Sequence, residues 1–383
     1  MREDGYRILS LAELAALNDE DDKGLADELD LDEDEMLAVI DFTGLRRAAQ
    51  SVSSVDDVLE RLIRNAQPLP DVEISVFADM TPAQQELVRT NWPHVRQDLR
   101  REILMTAVGM EEERFDLDFS AFFRIVLDDA DATVRMLAVE GLGFDTQMNV
   151  IGRLIHLLET DPTEEVRAAA ARSLGIYVLE GELDEFDAAL AVRAEQALLG
   201  VINNSAEPVS VRSRALESIA YSGDTGVRQL IEDAYYSPNE AMRVSSLVAM
   251  GRSVDARWRK LAQVELTNPS EEMRAQAAYA CGELEVRSAL GDLLRLLSDR
   301  SQSVRLAAIY ALGHIGGDTA MQALQEIVAG DNEVEALVAE DALDEMAFYA
   351  GAEADGTQLF AEAADWGDDD DPADDDLDLG EYV

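Results

Sequence analysis

Asp299-Arg300-Ser301-Gln302-Ser303-Val304-Arg305-Leu306-Ala307-Ala308-Ile309-Tyr310-Ala311-Leu312-Gly313 decides the fold. A turn acid is followed by an apolar-Arg pair, an alanine three residues after the arginine, and Leu-Gly. Val304, Ala307, Ala308 and Ala311 recur at i, i+3, i+4 and i+7, the spacing of one helix face. The same pattern begins at Val134-Arg135, Val166-Arg167, Val211-Arg212, Met242-Arg243 and Met273-Arg274. The arginines stand 32, 45, 31, 31 and 31 residues apart, and the long interval holds an insertion around residues 180–185. A worn copy at Glu335-Ala336 keeps Ala339 and Leu343 in register.

Each copy reads as two helices. In Asn149 to Thr160, Ile151, Leu154, Ile155 and Leu158 share a face, and Asp161-Pro162 breaks the helix. A second helix follows from about Glu165 to Val178, its small residues Ala168 to Ala171 allowing close helix approach. Later copies break at Pro208, Pro238 and Pro269. One such pair cannot bury its apolar face alone, whereas stacked pairs can. No sustained period-two alternation interrupts residues 117–350. The expected fold is therefore all-α, an α-solenoid of about seven helix pairs over 117–350. A helical N-terminal cap is expected over 53–116. It reads as an amphipathic helix from Val55 to Ile63 capped by Ser53 or Ser54, a helix from Thr81-Pro82 that carries Trp92, and one from Arg96 to Val108. Residues 1–52 read as an acidic, partly helical arm with short helices near Leu9–Leu17 and Glu35–Phe42. Residues 351–383 read as an acidic disordered tail.

The Asp…Val-Arg-x-x-Ala-x-x-x-Leu-Gly pattern, best seen from Asp299 to Gly313, resembles HEAT repeats of the short, phycobilisome-lyase-like type. The resemblance covers about 117–350 and implies a HEAT/armadillo-like superhelix. It implies little about function, because such repeats serve unrelated tasks.

Charge narrows the partners. The chain of 383 residues carries 31 Lys+Arg against 80 Asp+Glu, a net charge of −49. Only Lys23 and Lys260 are lysines. Residues 1–60 hold 18 acids and 5 bases, and residues 351–383 hold 13 acids and no base. A nucleic-acid binder needs clustered cations, so this composition excludes that class as the main task. The runs Asp368 to Asp371 and Asp374 to Asp376 repel themselves and read as a solubility tail, as a lure for a basic partner, or as the general surface acidity suited to a salt-rich cytoplasm. No apolar run is long enough to span a membrane. Met1 to Leu31 lacks a basic segment ahead of an apolar one, so the expected location is cytoplasmic.

The sequence offers little for catalysis. Cys281, the single cysteine, excludes a disulfide framework and a cysteine-rich metal site. The three histidines stand as His94-Val95, His156-Leu157 and His314-Ile315. Deoxyhypusine hydroxylases, built from similar repeats, hold iron through His-Glu pairs, and this chain has none of those pairs. No nucleophile elbow, phosphate loop or dinucleotide fingerprint is present. No enzyme activity, cofactor or metal site is expected.

The repeated arginines, Arg135, Arg167, Arg212, Arg243, Arg274 and Arg305, suggest an anion-binding ladder at first sight. Acids in the turns, such as Asp131, Asp161 and Asp299, favour a structural role in which arginine–carboxylate pairs fix the stacking. At about 100° per residue, positions one, five and nine after each arginine fall opposite the core. The first row is Met136, Ala168, Ser213, Val244, Ala275 and Leu306. The second is Glu140, Arg172, Glu217, Val248, Tyr279 and Tyr310. The third is Phe144, Ile176, Tyr221, Arg252, Glu283 and His314. The partner-binding candidates are Phe144, Ile176, Tyr221, Val244, Val248, Tyr279, Leu306 and Tyr310. In the resembled family the second helices line the concave face. The reading is a non-enzymatic scaffold or adaptor that binds a protein partner, with a basic patch, through that face. Two alternatives are an acidic chaperone that shields basic proteins through its tail, and a helper or lyase for prosthetic-group attachment. The tail's Leu377 to Val383 also offers apolar anchors for occupying the groove itself.

Overall fold

The computed structural model describes residues 54–65, 68–114, 116–143 and 147–354. Among these the regular structure is helical throughout, with no strand: an all-α solenoid of successive helix pairs. The expected arm over 1–52, most of the tail, and Phe144 lie outside the described residues. The helices group into two compact units, one through Ile219 and one from Ala220.

The first unit contains α1 (Val55–Asn65), a short α2 (Asp71–Ile74), α3 (Pro82–Asn91), α4 (Gln97–Glu113), α5 (Ser120–Val126), α6 (Ala132–Gly141), α7 (Met148–Thr160), α8 (Glu164–Glu182), α9 (Ala188–Asn203) and α10 (Val209–Ile219). Ser54 starts α1, its hydroxyl accepting from the Asp57 N–H at 3.2 Å. Thr81 and Gln84 form a reciprocal capping box at α3. That helix stops at Asn91 and does not carry Trp92, which opens a 3₁₀ turn instead. Pro93 has no N–H to donate and restricts the residue before it. Trp92 is buried there, edge-on to Phe122 at 5.1 Å, and its indole N–H donates to Asp129 at 2.8 Å. The insertion around residues 180–185 lengthens helices: α8 runs 19 residues and α9 runs 16.

The second unit contains α11 (Thr225–Tyr235), α12 (Glu240–Arg252), α13 (Arg259–Glu265), α14 (Glu271–Glu283), α15 (Leu290–Leu296), α16 (Gln302–Ile315), α17 (Asp318–Val328) and α18 (Glu333–Ala354). Its second helices, α12, α14, α16 and α18, pack directly on one another in sequence. The glycines eight residues after Arg243, Arg274 and Arg305 make this possible. A Cβ on Gly282 would sit 2.9 Å from the Ala311 Cα, and one on Gly313 would sit 2.8 Å from the Ala342 Cβ. Glycine and alanine at these contacts remove the side-chain volume that would hold the helices apart.

Arginines tie the loops to the helices. In the first unit, Arg135 on α6 meets both carboxylate oxygens of Asp161, at 2.7 and 2.9 Å, and donates to the Asp129 carbonyl at 2.8 Å. Arg167 reaches Glu207 at 2.6 Å and the Asp161 carbonyl at 2.7 Å. Arg212 donates to the Ile202 carbonyl at 3.0 Å. In the second unit, Arg274 meets both oxygens of Asp299 at 2.9 Å and donates to the Asn268 carbonyl at 2.9 Å. Arg305 meets Glu335 at 2.9 Å and the Asp299 carbonyl at 2.8 Å. Asp161 and Asp299 thus each join two repeats, the side chain to the arginine before and the carbonyl to the arginine after. Asp161 and Asp299 also accept the N–H of Thr163 and Ser301, both at 2.9 Å. Arg274 holds the Asp299 carboxyl below the usual range. Burial pushes Asp161 upward, but Arg135 and the Thr163 N–H together outweigh it. Arg101 on α4 does the same for Asp131, holding it well below the usual range.

Candidate functional site

The rows one, five and nine residues after each arginine do not form one uniform outward stripe. Glu217 is 3% exposed and Ser213 6%, and in the second unit Ala275 is 5% exposed. Neighbouring second helices approach so closely that they cover part of each row. In the first unit Ile176 on α8 is half-buried. In the second unit Val244 and Val248 on α12, and Leu306 and Tyr310 on α16, are half-buried, while Tyr279 on α14 is 36% exposed.

Two groups of these residues come together, both in the second unit. Tyr221 lies beneath Arg252, whose guanidinium carbon is 5.3 Å from the ring centroid. Further along, Tyr279 and Tyr310 stand one repeat apart with ring centroids 5.1 Å apart and a tilt of 59°. Tyr310 continues to His314, one helical turn on, at 4.1 Å. The Tyr310 hydroxyl donates to Glu283 at the C-terminal end of α14. Glu345 on α18 approaches His314 Nε2 at 3.7 Å. Burial, then Glu283 and Glu345, push the Tyr310 phenol well above its ordinary value. The outcome is an aromatic run bordered by two carboxylates across α14, α16 and α18. Sequence reasoning selected the tyrosines and missed Glu345. That residue sits in the worn last repeat, where the arginine that anchors the register is replaced by Ala336.

The cysteine and the other two histidines lie outside this aromatic run. Cys281 is buried, which pushes its thiol up to about 12. His94 and His156 are exposed, and the His156 carbonyl accepts from the Thr160 hydroxyl at 2.8 Å. Among the described residues no group of three or more His, Cys, Asp or Glu side chains is placed to hold a metal. A cleft of about 310 Å³ in the first unit is lined by Asp56, Leu59, Glu60, Ile63, Arg64 and Asn91. No helix of the described residues is long and apolar enough to cross a membrane.

The architecture is that of a HEAT-repeat solenoid. The HEAT-repeat family model matches residues 120–198 and 259–344, so the chain carries HEAT repeats in both units. Among solved structures, the chain is similar to the CpcE–CpcF complex of phycocyanin lyase from Nostoc sp. PCC7120, at 19% identity and a TM-score of 0.40. That match covers 59% of this chain and 94% of the other. It is similar to importin beta at 12% identity and a TM-score of 0.41, over 80% of this chain and 48% of the other. It is similar to human deoxyhypusine hydroxylase at 17% identity and a TM-score of 0.32, over 70% of this chain and 96% of the other. No curated protein matches the chain in sequence.

Proposed function

We propose that this protein is a non-enzymatic cytoplasmic scaffold or adaptor that binds a protein partner through the second-helix face of its second unit. The observation that carries the reading is the aromatic run Tyr279–Tyr310–His314 across adjacent second helices, with the Tyr279 ring exposed. Exposed tyrosine beside half-buried aliphatic residues (Val244, Val248, Leu306) is the composition of a contact surface. Tyrosine supplies large contact area at small entropic cost, and the carboxylates form a polar rim. The acidity of the whole chain favours a partner with a basic patch and speeds its approach at low salt.

The test is affinity capture with the full chain at two salt concentrations, against a Tyr279→Ala/Tyr310→Ala variant whose unfolding midpoint is checked first. A single partner retained at the higher salt and lost from the variant is the expected result. A set of basic proteins that leave at high salt and ignore the variant refutes the reading and leaves binding by charge alone.

A further inference from the structure

The apolar residues of this face do not account for the acids set among its aromatic rings. Tyr279 shows an open ring, Glu283 is exposed beside it, and Glu345 retains 37% of its side-chain surface. Glu283 is held in place: its Cβ and Cγ would lie 3.3 and 3.2 Å from a Cβ on Gly251, so it packs over that helix. Burial first, and then Glu283 and Glu345, disfavour ionisation of the Tyr310 phenol between them. The same face already holds one guanidinium against a ring, Arg252 over Tyr221. Both belong to the row that continues to Glu283 and His314.

We propose that Tyr279, Tyr310, Glu283 and Glu345 form a recognition site for an arginine side chain carried by an exposed segment of the partner. The proposal rests on the reading that this face binds protein, and it names the chemistry of the contact. A guanidinium is planar, stays charged, stacks on a tyrosine face and donates in the plane to carboxylates on either side. Tyr279 supplies the open ring face. Glu283 and Glu345 supply acceptors, and Tyr310, donating to Glu283, fixes that carboxylate in position. A lysine ammonium fills the same charge but not the stacked plane. The chain's own residues 351–383 contain no Lys or Arg and 13 acids, so that segment is repelled here and does not supply the cation.

The test titrates the full chain with labelled (Gly-Ser-Arg)4 and with the same peptide carrying citrulline, the neutral isostere of arginine, at about 0.15 M NaCl. The arginine peptide should bind about tenfold more tightly than the citrulline peptide, and Tyr279→Ala should weaken it about three- to tenfold. Glu345→Gln should act in the same direction. Tyr236→Ala, at an exposed tyrosine that ends α11, should leave binding unchanged. Equal binding of the two peptides overturns the proposal, as does no binding of either. Arginine-peptide binding indifferent to both Tyr279→Ala and Glu345→Gln also overturns it, being what a net charge of −49 gives alone. A partner lost from Tyr279→Ala/Tyr310→Ala but kept by Glu283→Gln/Glu345→Gln would remove arginine recognition and leave the protein-binding reading in place.

Discussion

Replacing Arg274 by leucine tests the ladder where its geometry is most complete. Arg274 is 8% exposed and makes four hydrogen bonds, two to Asp299 at 2.9 Å and two to the Asn268 and Pro269 carbonyls at 2.9 and 3.1 Å. The substitution leaves the Asp299 carboxylate, 11% exposed at its side chain, without its guanidinium. Breaking a buried pair from one side costs about 3–5 kcal/mol. Asp299 keeps the Ser301 N–H and lies near the surface, which puts the expected loss near the lower end, about 3 kcal/mol. Arg243, one repeat earlier, is the internal control. The loop place that Asp299 fills for Arg274 is filled for Arg243 by Asn268, whose amide donates to Glu265 at 2.6 Å. Arg243 keeps the Ser237 carbonyl at 2.9 Å, and the carboxylate it meets is the exposed Glu240 of its own helix, at 3.8 Å. Arg243→Leu should therefore cost about 1 kcal/mol. Both are read by urea unfolding of the full chain under one buffer. Adding Asp299→Asn to Arg274→Leu removes the stranded charge and should recover about 1–2 kcal/mol. Equal losses for the two arginines, or no recovery in the double variant, would refute the claim that the loop acid, rather than the arginine's bonds to backbone, fixes the stacking.

Val254 has φ +48° and is 67% exposed, at the place in its repeat that Gly316 fills at φ +68°. Val254→Gly relieves a β-branched residue in the left-handed region and should raise stability by about 0.5–1 kcal/mol, read as a higher thermal midpoint. Gly282→Ala should lower stability by about 1–3 kcal/mol, because its Cβ meets the Ala311 backbone, whereas Gly291→Ala, with open space around it, should be neutral or stabilising. The carboxyls of Asp161 and Asp299 are depressed in the folded protein, so their stabilisation is complete above the ordinary carboxylate value of about 3.9 and is lost as pH falls through the folded values. The gap in thermal midpoint between the parent and Asp299→Asn should accordingly be constant above about pH 5 and close below about pH 4; a gap that widens on acidification contradicts the pairing.

The periodic part of the fold was legible because one physical requirement repeats. Every second helix needs an apolar residue at its base, an arginine to reach the loops, and small residues where the next helix crosses. These three needs leave a readable mark every 31 residues between Arg212 and Arg305. Trp92 was misplaced because a single Pro93 outweighs an otherwise continuous helical pattern. The outward rows were read from angle alone, and angle does not say how near the next helix comes. Ala275 and Glu217 lie on the predicted side and are buried, since close approach across glycine and alanine covers more of each helix than a fixed 100° step implies.

The candidate site marks a sharper limit. Tyr279 and Tyr310 belong to adjacent repeats at the same register, so periodicity alone brings them within reach of each other. Glu283 was on the third row for the same reason. Glu345 continues the same row, nine residues after Ala336, and it escaped notice because the worn copy on α18 has no arginine to mark its register. With Ala336 in the arginine's place the ladder ends at Arg305, which meets Glu335, and the same helix brings Glu345 to His314. Both the end of the ladder and the last member of the acidic border lie on α18. For that reason the aromatic run acquires its charge at the final repeats of the second unit, where α14, α16 and α18 meet, and not at Tyr221, where the chain's own Arg252 already occupies the ring.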